Sequence, residues 1–208
     1  MNYIVAFART GDVDNLKLLI DAGADINIKD SDGNTALIFA SLKGHTDCVK
    51  LLIDAKADLD IRNKHEYTAL MVAAWSGYTD IVKLLINAHA YLNLQDRHGH
   101  TALLLAASQG RTECVKLLID AKADFKTIDV FENTALVLAI YHNNQDLIDI
   151  LIDANTDFNS KQKIIQKSII WAARNEQMDV VHQLMNKNVD FNLRSIRAVR
   201  RLVSGGRF

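Results

Sequence analysis

Apolar residues along the chain fall into two short blocks that return every 33 residues. Residues 63–95 show the form. Thr68-Ala-Leu-Met-Val-Ala-Ala-Trp75 is a hydroxyl followed by small and apolar residues without a breaker, which predicts a short capped helix ended by Ser76-Gly77. Thr79-Asp-Ile-Val-Lys-Leu-Leu-Ile86 then places Ile81, Val82, Leu84, Leu85 and Ile86 over about two turns, with Asp80 near the positive end of the helix dipole. A second short helix is expected there. Residues 88–95 read as an extended, turn-rich link, and Asp96-Arg-His-Gly99 carries the Asp and Gly of a tight turn. The unit is therefore helix, turn, helix and a projecting hairpin-like loop.

The blocks keep phase along nearly the whole chain. Thr-Ala-Leu begins at Thr35, Thr68, Thr101 and Thr134, and Lys-Leu-Leu-Ile begins at Lys17, Lys50, Lys83 and Lys116. A fixed period of this length implies stacked units, none of which can bury its apolar face alone. We expect one array over residues 1–195, with units 1–29, 30–62, 63–95, 96–128, 129–161 and 162–195. Stacked ends need polar covers, and Arg174, Asn175, Glu176, Gln177, His182, Gln183, Asn186, Lys187 and Asn188 give the last unit one. Beyond it, Ile196, Val199, Leu202 and Val203 have the spacing of a short capping helix, stopped by Ser204-Gly-Gly206.

The unit resembles the ankyrin repeat. That family's pattern, Asp-x-x-Gly-x-Thr-Pro-Leu-His-x-Ala-Ala, is met by Asp30-Ser-Asp-Gly33-Asn-Thr35-Ala-Leu-Ile-Phe-Ala40, followed by Gly44-His45 and Val49-Lys-Leu-Leu52, with Gly23-Ala-Asp-Ile-Asn27 upstream. The resemblance implies an all-α solenoid of helix-turn-helix units with projecting hairpin loops. It departs from the pattern in three ways. Proline is absent, so Thr-Pro becomes Thr-Ala and a fixed φ in the first turn is lost. The His after Leu becomes Ile38, Met71, Leu104 and Val137, which exchanges a hydrogen-bond link for apolar packing. The left-handed glycine after the second helix survives as Gly23 but becomes Lys56, His89, Lys122, Asn155 and Asn188. Positive φ at Lys or His carries a strain of roughly 1 kcal/mol or more.

The resemblance also implies a non-catalytic module that binds a partner protein or peptide on its concave side, through loop tips and exposed ends of the first helices. The positions that match are Leu42, Lys43, Lys64, His65, Tyr67, Trp75, Arg97, His98, His100, Gln109, Phe131, Tyr141 and His142. Trp75 occupies a slot held elsewhere by Leu42, Ser108, Tyr141 and Arg174, and Tyr67, Trp75, Phe131 and Tyr141 would form an aromatic stripe. Trp75 is read as a binding anchor over the alternative, a cover for the gap between helices; its truncation is then expected to change stability by no more than about 1 kcal/mol. Trp171 instead matches core positions Phe39, Val72, Leu105 and Leu138.

Composition adds the compartment and removes some partners. Hydrophobic residues at 49% and charged residues at 24% are ordinary for a globular chain. No apolar run is long enough to span a bilayer and the first ten residues lack a secretory pattern, so an intracellular, cytoplasmic protein is the default expectation; delivery into another cell is compatible with it. Cys48 and Cys114 share one slot two units apart, too far for a disulfide, and are expected to be free, half-buried thiols. Arg194, Arg197, Arg200, Arg201 and Arg207 lie in the last 15 residues without an acid, leaving 19 basic against 25 acidic groups elsewhere. An acidic body makes nucleic acid a poor partner for the array. A monomer is expected, the alternative being an arm of a larger assembly docked through the Arg-rich tail.

Catalytic patterns are missing from the sequence. It has no phosphate-cradling glycine loop, no Gly-x-Ser-x-Gly elbow, no His-Glu-x-x-His and no paired-cysteine zinc spacing. Asp120 and Asp124 recur with the repeat, which explains them without acid–base work. His65, His98 and His100 would need their loops to bend together to share a metal, and are read as solvated loop residues. His45 is read as a capping or packing residue. No enzyme, cofactor or metal is expected.

Overall fold

The computed structural model describes residues 2–154, 165–166, 168–170, 172–174 and 178–185. Through residue 154 the chain forms helix pairs: α1 (Tyr3–Thr10) with α2 (Val13–Asp21), α3 (Ala36–Lys43) with α4 (Thr46–Asp54), and α5 (Ala69–Ser76) with α6 (Thr79–Asn87). The series continues with α7 (Ala102–Ser108) and α8 (Thr112–Asp120), then α9 (Ala135–Tyr141) and α10 (Gln145–Asp153). Later residues include a further helix, α11 (Met178–Met185). Among the described residues there is no strand. First helices pack in one row, α1 to α9, and second helices in another, α2 to α10. The fold is all-helical and of the solenoid kind.

The capping predicted from sequence starts each first helix after α1. The hydroxyls of Thr35, Thr68, Thr101 and Thr134 accept the backbone N–H of Ile38, Met71, Leu104 and Val137 at 3.3 Å. Those four apolar residues, which replace the family's histidine, are all buried. Small side chains set the spacing of the row: Ala40, Ala73, Ala106 and Ala139 are fully buried, because helices this close leave no room for more than a methyl. In α1 the equivalent slots hold Phe7, partly buried, and the Ala36 slot holds Tyr3, 60% exposed. The first end is thus only partly polar. Asn15 is exposed where later units bury Cys48, Ile81, Cys114 and Leu147, but Leu18 is exposed as well.

The second helices α2, α4, α6 and α8 end in the left-handed backbone that the missing glycines predict. φ is 67° at Lys56, 66° at His89 and 68° at Lys122, against 78° at Gly23. The turn persists because it satisfies the helix carbonyls: Lys56 N–H donates to Ile53 and Ala57 N–H to Leu52, both at 2.9 Å. Replacing Lys56 or Lys122 by glycine is therefore expected to raise stability by about 1 kcal/mol each, read as a shifted urea midpoint at constant m. An unchanged midpoint would show that these lysines carry no strain.

The link between units is also built from a repeated residue. Asn27, Asp60 and Asn93 use a side-chain oxygen to accept the N–H of Asp58, Tyr91 and Asp124 in the next unit, at 2.9–3.0 Å. The last residue of Gly-Ala-Asp-Ile-Asn27 is thus a clamp between links.

Cys48 and Cys114 are free but wholly buried, not half-buried as expected. Their slot faces the preceding unit, where the Cys114 sulfur lies 3.9 Å from the Thr79 hydroxyl. Burial raises both thiol pKa values above the ordinary value. Both should react with a disulfide reagent far more slowly in the native chain than in denaturant at the same pH. Native labelling as fast as denatured labelling would place them at the surface.

Arg174 and His182 of the expected C-terminal cover are exposed, over buried Ile169, Ala172, Val181 and Leu184. Asn155, Trp171, Asn175, Glu176, Gln177, Asn186, Lys187, Asn188 and the tail 196–208 lie outside the described residues, as does the side chain of Gln183.

Candidate partner-binding groove

Loop tips at 30–34, 63–67, 96–100 and 129–133 each close on one side-chain oxygen. Asp30 Oδ1 accepts the N–H of Asp32 at 2.9 Å and of Asn34 at 2.8 Å. Asn63 serves His65 and Tyr67, Asp96 serves His98 and His100, and Asp129 serves Phe131 and Asn133 in the same way. Asp96 and Asp129 are buried. His100 stands between them, Nδ1 3.1 Å from Asp96 and Nε2 3.7 Å from Asp129.

The tips are joined in pairs. Lys64 N–H donates to Asp32 O, and Val130 N–H donates to His98 O, both at 2.9 Å. Between the second and third tips no backbone bond forms; Arg62 donates to Gln95 O and Arg97 to Lys64 O instead. One slot decides this. Gly33 and Gly99 occupy it before each joined pair, and a Cβ there would lie 3.1 Å from Lys64 N and 3.2 Å from Asp129 Cα. At the unjoined junction the slot is Glu66, with φ 67° and a side chain paired with Arg62. The sequence showed this alternation of Gly33, Glu66, Gly99 and Glu132, but spacing alone does not say how near two loops come.

Under the first two tips, α3, α5 and α7 form a groove enclosing about 400 Å³. Its floor is Ile38, Met71, Val72 and Leu105, and its sides are Leu42, Tyr67 and Trp75. Asp32, Asn34, Asn63 and His65 complete the lining from the loop side. Trp75 is 45% exposed and projects from the last turn of α5. The Tyr67 hydroxyl has its pKa raised, by burial first and by nearby Asp96 second, with Arg97 opposing.

Of the residues expected to meet a partner, Leu42, His65, Tyr67 and Trp75 come together in this groove. Lys43, Lys64, Arg97, His98, Gln109 and His142 are exposed outside its lining. Phe131 and Tyr141, 74% and 61% exposed, do not line it, so of the four aromatic residues only Tyr67 and Trp75 share the groove. His100 is held between aspartates, its side chain 22% exposed. Sequence reasoning missed Met71, Val72, Ile38 and Leu105 as groove floor, since all read as core. Among the described residues, no group of three or more His, Cys, Asp or Glu could hold a metal ion, and no helix is long and apolar enough to cross a membrane.

The model of the family described as ankyrin repeats (3 copies) matches residues 4–96 and 87–162. The chain belongs to the ankyrin-repeat family. A comparison with curated proteins found no match to it. Ankyrin repeats are generally protein–protein interaction modules and typically non-catalytic. In this ankyrin array the family's Gly-His pair explains His45: its Nε2 lies 3.2 Å from Arg9 O, and its ring covers Gly11, where a Cβ would come within 2.7 Å. Tyr78 and Arg111 take the same place over Gly44 and Gly77.

Proposed function

We propose that the chain is a non-catalytic protein-interaction module over residues 1–195, holding a partner protein or peptide on its concave side with the groove at Trp75 as the centre. One observation carries this reading: a half-exposed tryptophan, 45% accessible, sits on an apolar groove in a slot that the other units fill with Leu42, Ser108, Tyr141 and Arg174. Aromatic anchors beside an apolar cleft dominate binding energy when a partner excludes water from them. The exposed loop residues Lys64, Arg97, His98 and Phe131, with Lys43, Gln109, Tyr141 and His142 at the helix ends, supply a polar rim and a second apolar contact, and His100 acts by holding the tips. A monomer in the cytoplasm belongs to the same reading.

Trp75→Ala tests it. Rather more than half of the ring is covered, so the loss of stability is expected at about 1–2 kcal/mol, larger than sequence alone suggested but below the ~3–5 kcal/mol of a fully buried tryptophan. Affinity for a partner captured by the wild type should fall by ~2 kcal/mol or more, about 30-fold, in titration calorimetry. A collapse in melting temperature with unchanged affinity would make Trp75 a packing residue and remove the centre of the site.

A further inference from the structure

The groove itself selects among partners. We propose that it takes a peptide segment in which a bulky apolar side chain stands next to a single arginine or lysine. This rests on the concave-side reading above. The anchor follows from the floor, where Ile38, Met71 and Leu105 offer only hydrocarbon and sulfur beneath an opening of about 400 Å³, room for one or two large side chains.

The cation follows from the charge of the lining. Asp32 is the one carboxylate of the lining, and no Lys or Arg shares the wall. Its main chain is engaged, the N–H with Asp30 and the carbonyl with Lys64, while its carboxylate makes no ion pair or hydrogen bond among the described residues. An exposed indole lines the same groove, a second surface that attracts a guanidinium or ammonium. Lys43 and Lys64 are exposed nearby but outside the lining, so the favourable field is confined and a uniformly basic chain gains nothing from it.

The test pans the whole chain against a random library of twelve-residue peptides on phage, then titrates the enriched sequences as synthetic peptides. Enriched sequences should place Phe, Leu, Met or Ile within two positions of Arg or Lys. Trp75→Ala should weaken them about 30-fold. Asp32→Asn, which leaves the backbone contacts of the tip in place, should weaken them about five-fold. Replacing the peptide's cation by Gln should then cause no further loss in that variant. Winners without a basic residue, or equal affinity for Asp32→Asn, would overturn the proposed chemistry; if such winners still need Trp75, the groove remains the binding site. Winners indifferent to Trp75→Ala, or no enrichment, would overturn both.

Discussion

Gly99→Ala is expected to destabilise the array by about 3 kcal/mol, although the residue lies at a surface turn. Three effects add. φ at Gly99 is +78°, a conformation that disfavours any Cβ by ~1 kcal/mol or more. The new methyl would stand 3.2 Å from Asp129 Cα and 3.3 Å from Ile128 O and Val130 N, atoms of a backbone that cannot rotate aside. If the neighbouring tip retreats, the bond from Val130 N–H to His98 O goes with it, at about 1 kcal/mol. Gly23→Ala isolates the first effect, since Gly23 has the same φ and nothing within 4 Å of its Cβ position; its loss should be ~1 kcal/mol. Glu66→Gly should run the other way, gaining about 1 kcal/mol by relieving a positive φ. Urea unfolding of the three variants decides the matter. Equal losses at Gly23 and Gly99 would mean that the approach of adjacent tips contributes nothing.

These three residues also show what could be read in advance. The helices were legible because an apolar period and a capping threonine are local properties, and both recur in phase. The left-handed exits at Lys56, His89 and Lys122 were legible because Gly23 marks the slot in the one unit that kept its glycine. Depth of burial was not: Cys48 and Cys114 looked half-buried because this slot's exposure depends on how tightly the preceding unit sits, which the alanines of the first helices set. The site was partly legible. Trp75 and Tyr67 were found as aromatic departures from a repeating slot, and they do converge. Phe131 and Tyr141 were found by the same logic and lie outside its lining, because the groove is enclosed by α3, α5 and α7 and both belong to the unit that follows. The groove floor was invisible, since Met71 and Leu105 carry the residue types of core positions and become lining only where Leu42 and Trp75 leave the space above them open.

Asp96→Ala should cost about 3 kcal/mol, and Asp96→Asn about 1 kcal/mol. The carboxylate is 0% exposed, and one of its oxygens accepts the N–H groups of His98 and His100 at 2.8 Å each. Alanine removes that acceptor and leaves two donors in a turn too tight for another protein group to replace it. It also strips the Nδ1 partner from His100, whose ring spans toward Asp129 in the next tip. Asparagine keeps the oxygen. The chain already contains this variant one unit earlier, where Asn63 holds His65 and Tyr67 at 2.9 and 3.0 Å and turns its Nδ2 toward Asn34. Denaturation midpoints give the two losses, and amide exchange at His98 and His100 locates them: alanine should accelerate both and asparagine neither. Alanine and asparagine behaving alike would show that the tip is held by its closing backbone bonds from Asp96 and Gly99 alone. Because His98 is presented by this turn and its carbonyl anchors the next tip, a loosened turn at Asp96 should also weaken partner binding without any loss at the groove, whereas Trp75→Ala weakens binding while leaving exchange at the tip unchanged.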